Sequence, residues 1–219
     1  MITFDDIRRN KEVQTYIRKS DESLIELGYT EHSFPHAFRV ANLARDILIR
    51  LGYDERTAEL AQIGGFLHDI GNLVNRVNHA QSSAHMAFHI LDKMGMDIEE
   101  IATVVAAIGH HDESAAVPVN AVAAAIMLAD KSDVRRSRVR NKSLQTFDIH
   151  DRVNYSVLST GLEIDSECKF VVLKLKIDTH YFSIMDYFEI FLERMLLCRR
   201  AAEFLKMHFK LLINEVELL

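Results

Sequence analysis

The sequence predicts a mainly α protein: a bundle of helices over residues 1–150 with a small C-terminal α+β unit over 151–219. Three observations carry this. Apolar residues through the first part recur at the three- and four-residue steps of a helix. The chain has only two prolines and no tryptophan, which suits a helical body. After about residue 150 the periodicity changes from helical to alternating.

In order, "SFPHAFRVANLARDILIRLGY" offers Ser33 as N-cap and Pro35 in the first turn, where a missing N–H costs nothing. Its apolar stripe is Val40, Leu43, Ile47 and Leu51, and Gly52 ends it. Asp54 can cap "ERTAELAQIGGFLHDIG", in which Gly64 and Gly65 permit close helix approach and Gly71 ends the helix. "HAQSSAHMAFHILDKMG", closed by Gly95, and "DIEEIATVVAAIGHH" follow. "PVNAVAAAIMLADKSDVRRSRVR" reads as one more helix, with Pro118 near its start. In the tail, "YSVLSTGLEID" and "SECKFVVLKLKID" read as a hairpin turning at Asp165–Ser166, with Val171, Leu173, Leu175 and Ile177 on one face. A long helix over 183–206 and a returning strand in "FKLLINEVELL" complete a ββαβ order.

At 48% apolar and 26% charged, the 219 residues are those of an ordinary globular protein with a sizeable core. The net charge of −6 disfavours a nucleic-acid polymer as partner through the global field. Two cysteines, Cys168 and Cys198, lie at no metal-ligand spacing and suggest a reducing compartment. The N-terminus is too charged for a signal peptide and no apolar run approaches the ~18 residues of a membrane span, so a cytoplasmic protein is expected.

The helical stripes select which histidines look inward. His36 continues the stripe of Val40 and Leu43, and His79 begins one through Ser83, Met86 and Ile90. His111 rather than His110 extends Ile101, Val105 and Ile108, while His85 falls on another face. His68 and Asp69, in "GGFLHDIGN", end an apolar helix, and Asp130 ends "AVAAAIMLAD", a run with no other polar side chain. A carboxylate buried there unpaired would cost several kcal/mol. A single inward histidine is most often a satisfied core residue; six ligand-type residues at the inward ends of five helices point to a metal centre.

The order His36, His68-Asp69, His79, His111, Asp130, with the "HDIG" and "LADKSD" segments, resembles the HD-domain superfamily of metal-dependent phosphohydrolases over about residues 30–140. The resemblance implies an HD-type helical bundle in which His36, His68, Asp69 and Asp130 hold one metal. Asp69 would then bridge to a second, held also by His79 and His111, as in the dinuclear branch of the superfamily, whereas the mononuclear branch needs only His36, His68, Asp69 and Asp130. The implied cofactor is a divalent transition metal, two per chain, from Fe, Mn, Zn or Co, with Mg admissible, because imidazole and carboxylate ligands without thiolate suit these ions. Asn72 stands where the cyclic-di-GMP branch has lysine, and "DESAAVP" follows His111 where that branch has "GYP", which argues against that substrate.

The expected function is hydrolysis of a small phosphorylated metabolite or nucleotide, as a phosphomonoester or phosphodiester, through a metal-activated water. Asp69 orients the nucleophile, and His110 or Lys131 protonates the leaving group. Lys131, Arg135, Arg138 and Lys142 recur at helical spacing as a basic stripe beside Asp130, so Lys131, Arg135 and Arg138 are candidates for substrate phosphate. Two rival readings use the same sequence: a diiron oxygenase, and a non-catalytic sensor or interaction module. In the latter, the strand "FVVLKLKID" or the helix face of Phe188, Leu192, Met195 and Leu196 would meet another chain, a homodimer among the outcomes.

Overall fold

A computed structural model describes residues 1–113, 116–180 and 183–218, apart from the side chain of Asp186. Ser114 and Ala115, within the "DESAAVP" segment, lie outside the described residues. The helical body consists of α1 (Phe4–Arg9), α2 (Lys11–Glu26), α3 (Phe34–Arg50), α4 (Glu55–Leu67), α5 (His79–Met94), α6 (Ile98–Gly109), α7 (Ala121–Lys131) and α8 (Ile149–Ser156). The tail adds β1 (Val157–Asp165), β2 (Phe170–Ile177), α9 (Ile184–Phe204), β3 (His208–Ile213) and β4 (Val216–Glu217). No helix among the described residues is long and apolar enough to cross a membrane.

Helix starts follow from short polar side chains that satisfy the first free N–H groups. Asn10, Asp54, Asp97 and Asn120 each cap the helix that follows them. Ser33 occupies the N-cap of α3, but its hydroxyl donates to Glu31 Oε1 at 2.6 Å instead of capping. The predicted long helix from Pro118 is shorter than expected. Pro118 lies outside α7, and α7 ends at Lys131. Ser132 turns its hydroxyl back to the carbonyl of Ala129, and Asp133 is drawn wholly inside, away from helical geometry. Arg135 is extended, with φ −157° and ψ 146°, so Lys131, Arg135, Arg138 and Lys142 do not form a helical stripe.

The helices α3 and α4 pack closely because Gly65 lies against the backbone of Ala41, where a Cβ would come within 3.0 Å of its Cα. Gly71 is tighter still. A Cβ there would sit 2.3 Å from His79 O and from Ser83 N, so Gly71 lets the first turn of α5 lie directly on the segment after α4. It sits in a short 3₁₀ turn, Ile70–Leu73, and the helix has already ended at Leu67.

The sheet order is β1-β2-β3-β4. β1 and β2 form the expected hairpin, and α9 returns the chain so that β3 runs parallel to β2. The ββαβ order holds, with the two-residue β4 added antiparallel to β3. Val171, Leu173, Leu175 and Ile177 are buried, in register with Phe209, Leu211 and Ile213. Since β2 is paired on both edges, "FVVLKLKID" has no free edge to offer a second chain. The proposed partner face of α9 divides: Met195 is in the core, Phe188 packs against it, and Leu192 is 46% exposed. The buried stripe is instead Tyr187, Phe191, Met195, Cys198 and Ala202. It joins α7 in a single apolar cluster that runs through both the helical body and the tail.

Candidate metal centre

The ends of α3, α4, α5, α6 and α7 converge on one point. His36 stands in the first turn of α3, His68 is the C-cap of α4, and Asp69 follows it. His79 opens α5, His111 follows α6, and Asp130 is in the last turn of α7. All four histidines are buried, and the two aspartate side chains are 12% exposed. The six residues expected as ligands are thus brought together.

The imidazoles are held with one nitrogen inward. Each Nδ1–H has a fixed acceptor: Asp133 Oδ2 for His36 at 2.7 Å, Gly65 O for His68 at 2.8 Å, Arg76 O for His79 at 3.0 Å and Ile108 O for His111 at 2.7 Å. Every Nε2 therefore points into the cluster, the arrangement that metal-ligating histidines adopt. His36 Nε2 and His68 Nε2 are 3.3 Å apart, and His79 Nε2 and His111 Nε2 are 3.2 Å apart.

Asp69 lies between the two pairs. Its Oδ2 is 3.6 Å from His36 Nε2 and 3.3 Å from His68 Nε2, while its Oδ1 is 3.3 Å from His79 Nε2 and 3.9 Å from His111 Nε2. Asp130 Oδ1 closes the first group, 3.3 Å from His36 Nε2 and 3.7 Å from His68 Nε2. Two clusters with metal-ligand spacing result: His36, His68 and Asp130 in one, and His68, Asp69 and His111 in the other. Nitrogen and carboxylate donors converging in a buried site, with their outer nitrogens already fixed, fit a divalent metal.

Electrostatics agree with this geometry. Burial opposes the charged form of Asp69, but the surrounding imidazoles of His68, His36 and His79 outweigh it and hold its carboxyl well below the usual range. Asp130 is likewise opposed by burial and held low, by Lys131 and the same histidines. His68 is disfavoured as a cation by burial, yet the carboxylates of Asp69 and Asp130 push it up to about 10. His111 moves well below its ordinary value, through burial and then the charges of His68 and Lys131.

Neighbours fix Asp69 further. Ser20 of α2 donates to its carbonyl at 3.1 Å, and Asn72 Nδ2 reaches both that carbonyl and Oδ1, at 2.9 and 3.0 Å. Lys131 is buried between Asp130 Oδ2 at 2.7 Å and Glu113 Oε1 at 3.3 Å; Arg194 of α9 meets the same Glu113 oxygen at 2.6 Å.

The remaining expected residues lie elsewhere. His110 lines a groove between α5 and α6 with Gln81, His85 and Phe88, and among the described residues no hydrogen bond joins it to the cluster. Arg135 donates to Asp133 Oδ1 at 2.8 Å and to Glu31 Oε2 at 2.9 Å. Arg138 is buried and donates to the carbonyls of Glu31 and Asp133, both at 2.9 Å. Asp133 itself was not expected. Its adjacency to "LAD" was visible, but its burial depends on where α7 ends.

The HD-domain family model matches residues 34–135. Those residues form an HD domain. All six ligand-type residues of the cluster just described lie within the matched span. The chain is similar to an uncharacterized protein of Methanocaldococcus jannaschii, MJ1020, at 29% identity over 170 residues, 67% of this chain and 65% of that protein. It is also similar to Ribonuclease Y 1 of Pediococcus pentosaceus, at 30% identity over 155 residues, 65% of this chain and 28% of that protein. It thus spans less than two thirds of either relative's length. Among solved structures, a predicted HD superfamily hydrolase from an uncultured Thermotogales bacterium aligns with a TM-score of 0.47 and 27% identity, covering 62% of this chain and 75% of that one. The HD domain accounts for α3 to α7, and the tail lies beyond it.

Proposed function

We propose that this protein is a metal-dependent phosphohydrolase, a phosphomonoesterase or phosphodiesterase acting on a small phosphorylated metabolite or nucleotide. The observation that carries the reading is Asp69: one carboxylate presents one oxygen to His36 and His68 and the other to His79 and His111. That geometry supports reading Asp69 as a bridging ligand between two sites. His36, His68, Asp69 and Asp130 would hold one divalent ion, and Asp69, His79 and His111 the second, with Fe, Mn, Zn, Co or Mg as the candidates by donor type.

Ions bound there supply Lewis-acid polarisation of a phosphoryl oxygen and lower the pKa of water toward neutrality. The chain's own groups do the rest. Asp69, kept ionised and held by Asn72, orients the attacking water through hydrogen bonding. Lys131 remains an ammonium, because Asp130 and Glu113 outweigh the effect of burial, and so contributes positive charge to a phosphorylated ligand more readily than a proton to a leaving group. His110, facing its own groove, is poorly placed to donate that proton.

The test is metal analysis of the purified protein after reconstitution with Mn or Fe, together with a phosphate-release screen over nucleotides and sugar phosphates. A short RNA belongs in the screen because one relative is named a ribonuclease, although a net charge of −6 gives no long-range attraction for a polynucleotide. Fewer than one metal per chain would end the proposal. Oxygen consumption with a mixed-valence diiron EPR signal would replace it with the oxygenase reading.

A further inference from the structure

Most cations around the cluster have a carboxylate in direct contact. Lys131 has Asp130 and Glu113, Arg135 has Asp133 and Glu31, Arg39 has Asp133 at 3.0 Å, and Arg194 has Glu113. Arg138, buried, donates to two carbonyls and has Asp133 Oδ2 at 3.7 Å. Arg76 differs. Its Nη1 donates to the neutral Asn72 Oδ1 at 3.1 Å and comes only to 4.0 Å from Asp69 Oδ1, beyond hydrogen-bond length.

Its position is nevertheless well defined. The side chain is 25% exposed, the guanidinium lies over the Tyr29 ring at 5.7 Å from its centroid, and the backbone carbonyl of Arg76 accepts from His79 Nδ1. Arg76 is thus partly exposed and at the same time nears the oxygen of Asp69 that faces His79 and His111. Among the described residues its guanidinium makes one hydrogen bond, to Asn72, and the planar fork of the remaining N–H groups suits two oxygens of a phosphate.

We propose that Arg76 is a phosphate contact of this centre, gripping non-bridging oxygens of the substrate while the His and Asp cluster faces the same phosphoryl group. The inference rests on the phosphohydrolase reading. It transfers to Arg76 the role that the sequence suggested for Arg135 and Arg138, whose guanidinium groups hold Asp133 and Glu31.

The experiment is calorimetric titration of inorganic phosphate into full-length, Mn-loaded protein, with Mn content measured on the same samples. Wild type, Arg76→Ala and Arg76→Lys are compared. Loss of a charge-assisted fork predicts that Arg76→Ala weakens phosphate binding by about tenfold or more. Mn content should be unchanged, and Arg76→Lys should recover only part of the affinity. Equal phosphate affinity in wild type and Arg76→Ala overturns the inference and leaves the enzyme reading standing. Loss of Mn from Arg76→Ala also overturns it, by making Arg76 a support of the metal residues. Wild type that binds Mn but no phosphate sinks the phosphohydrolase reading and the inference together. If Arg76→Ala does not fold, full wild-type affinity in Arg76→Lys counts against the fork.

Discussion

Asp133 Oδ2 accepts the Nδ1–H of His36 at 2.7 Å, and the Asp133 side chain is completely buried. The other three inward histidines lean on backbone carbonyls; His36 alone leans on a carboxylate. Arg39, Arg135 and Arg138 surround that carboxylate; burial opposes its charge, but His36, then Arg138 and Arg135, hold its pKa well below the ordinary range. Asp133→Asn keeps the shape and removes the charge. Removing a partner carboxylate from a ligating histidine typically costs about 10–100-fold in metal affinity. Chelator-competition titration with Mn should show that loss. Because buried Arg138 is left without its counter-charge, chemical denaturation should show a stability loss of about 3 kcal/mol. Unchanged metal affinity would remove Asp133 from the support of the centre.

The metal-free protein should have a stability plateau with two falling sides. Asp69, Asp130 and Asp133 are depressed in the fold, so the stability they contribute is present above the unfolded carboxyl value and is lost as pH falls through and below it. His68 is raised to about 10, so its contribution is complete below the ordinary histidine value of 6.5 and is lost as pH rises towards 10. Thermal melts of chelator-treated protein across this span check the sign. Metal reverses the alkaline side. The ion competes with the proton of His68, so Mn affinity should rise with pH up to about 10, with proton release on binding.

Gly71→Ala should disrupt one half of the centre more than the other. The added methyl meets His79 O and Ser83 N, both backbone, so α5 must move. Overpacking of this kind costs about 1–3 kcal/mol. His79 moves with α5, whereas His36, His68 and Asp130 stand on other helices. Elemental analysis should find bound Mn reduced towards one ion per chain. Two ions in a destabilised protein would show that the shift spares His79.

Helical periodicity turned His36, His79 and His111 inward, the apolar segments they end marked His68, Asp69 and Asp130, and the resemblance to the HD-domain superfamily joined the six as one ligand set. The tail was legible from periodicity too, since alternation marked β1 and β2. The cations were not. Placing Arg135 and Arg138 required knowing that α7 stops at Lys131, and nothing periodic in "DKSDVRRSRVR" marks that break. The contacts that hold the segment after it are remote: Arg138 meets the carbonyl of Glu31 across 107 residues, and Arg135 meets the Glu31 carboxylate across 104. Arg76 lies in a loop, where no face is defined until the fold exists. The helix α8 was missed because its eight residues are too few to establish a period.

A chain ended near Asp151 should not remain a folded monomer. α7 is buried on nearly all sides, and α9 provides part of that cover through Phe191, Met195 and Cys198. Light scattering and near-UV circular dichroism on the shortened protein should show aggregation or loss of tertiary signal. A monomer with native spectra would make the tail a separable appendage.

Arg194 gives the tail a larger share in the chemistry than its position in sequence suggests. From α9 it holds Glu113, which holds Lys131, which holds Asp130. A transplant of residues 34–135 into another scaffold would carry all six ligand-type side chains and yet leave behind Ser20, Glu31, Arg138 and Arg194. The portable unit is therefore close to the whole chain, and sequence drift at the far end of α9 is one route by which the properties of Asp130 could be retuned without touching a ligand.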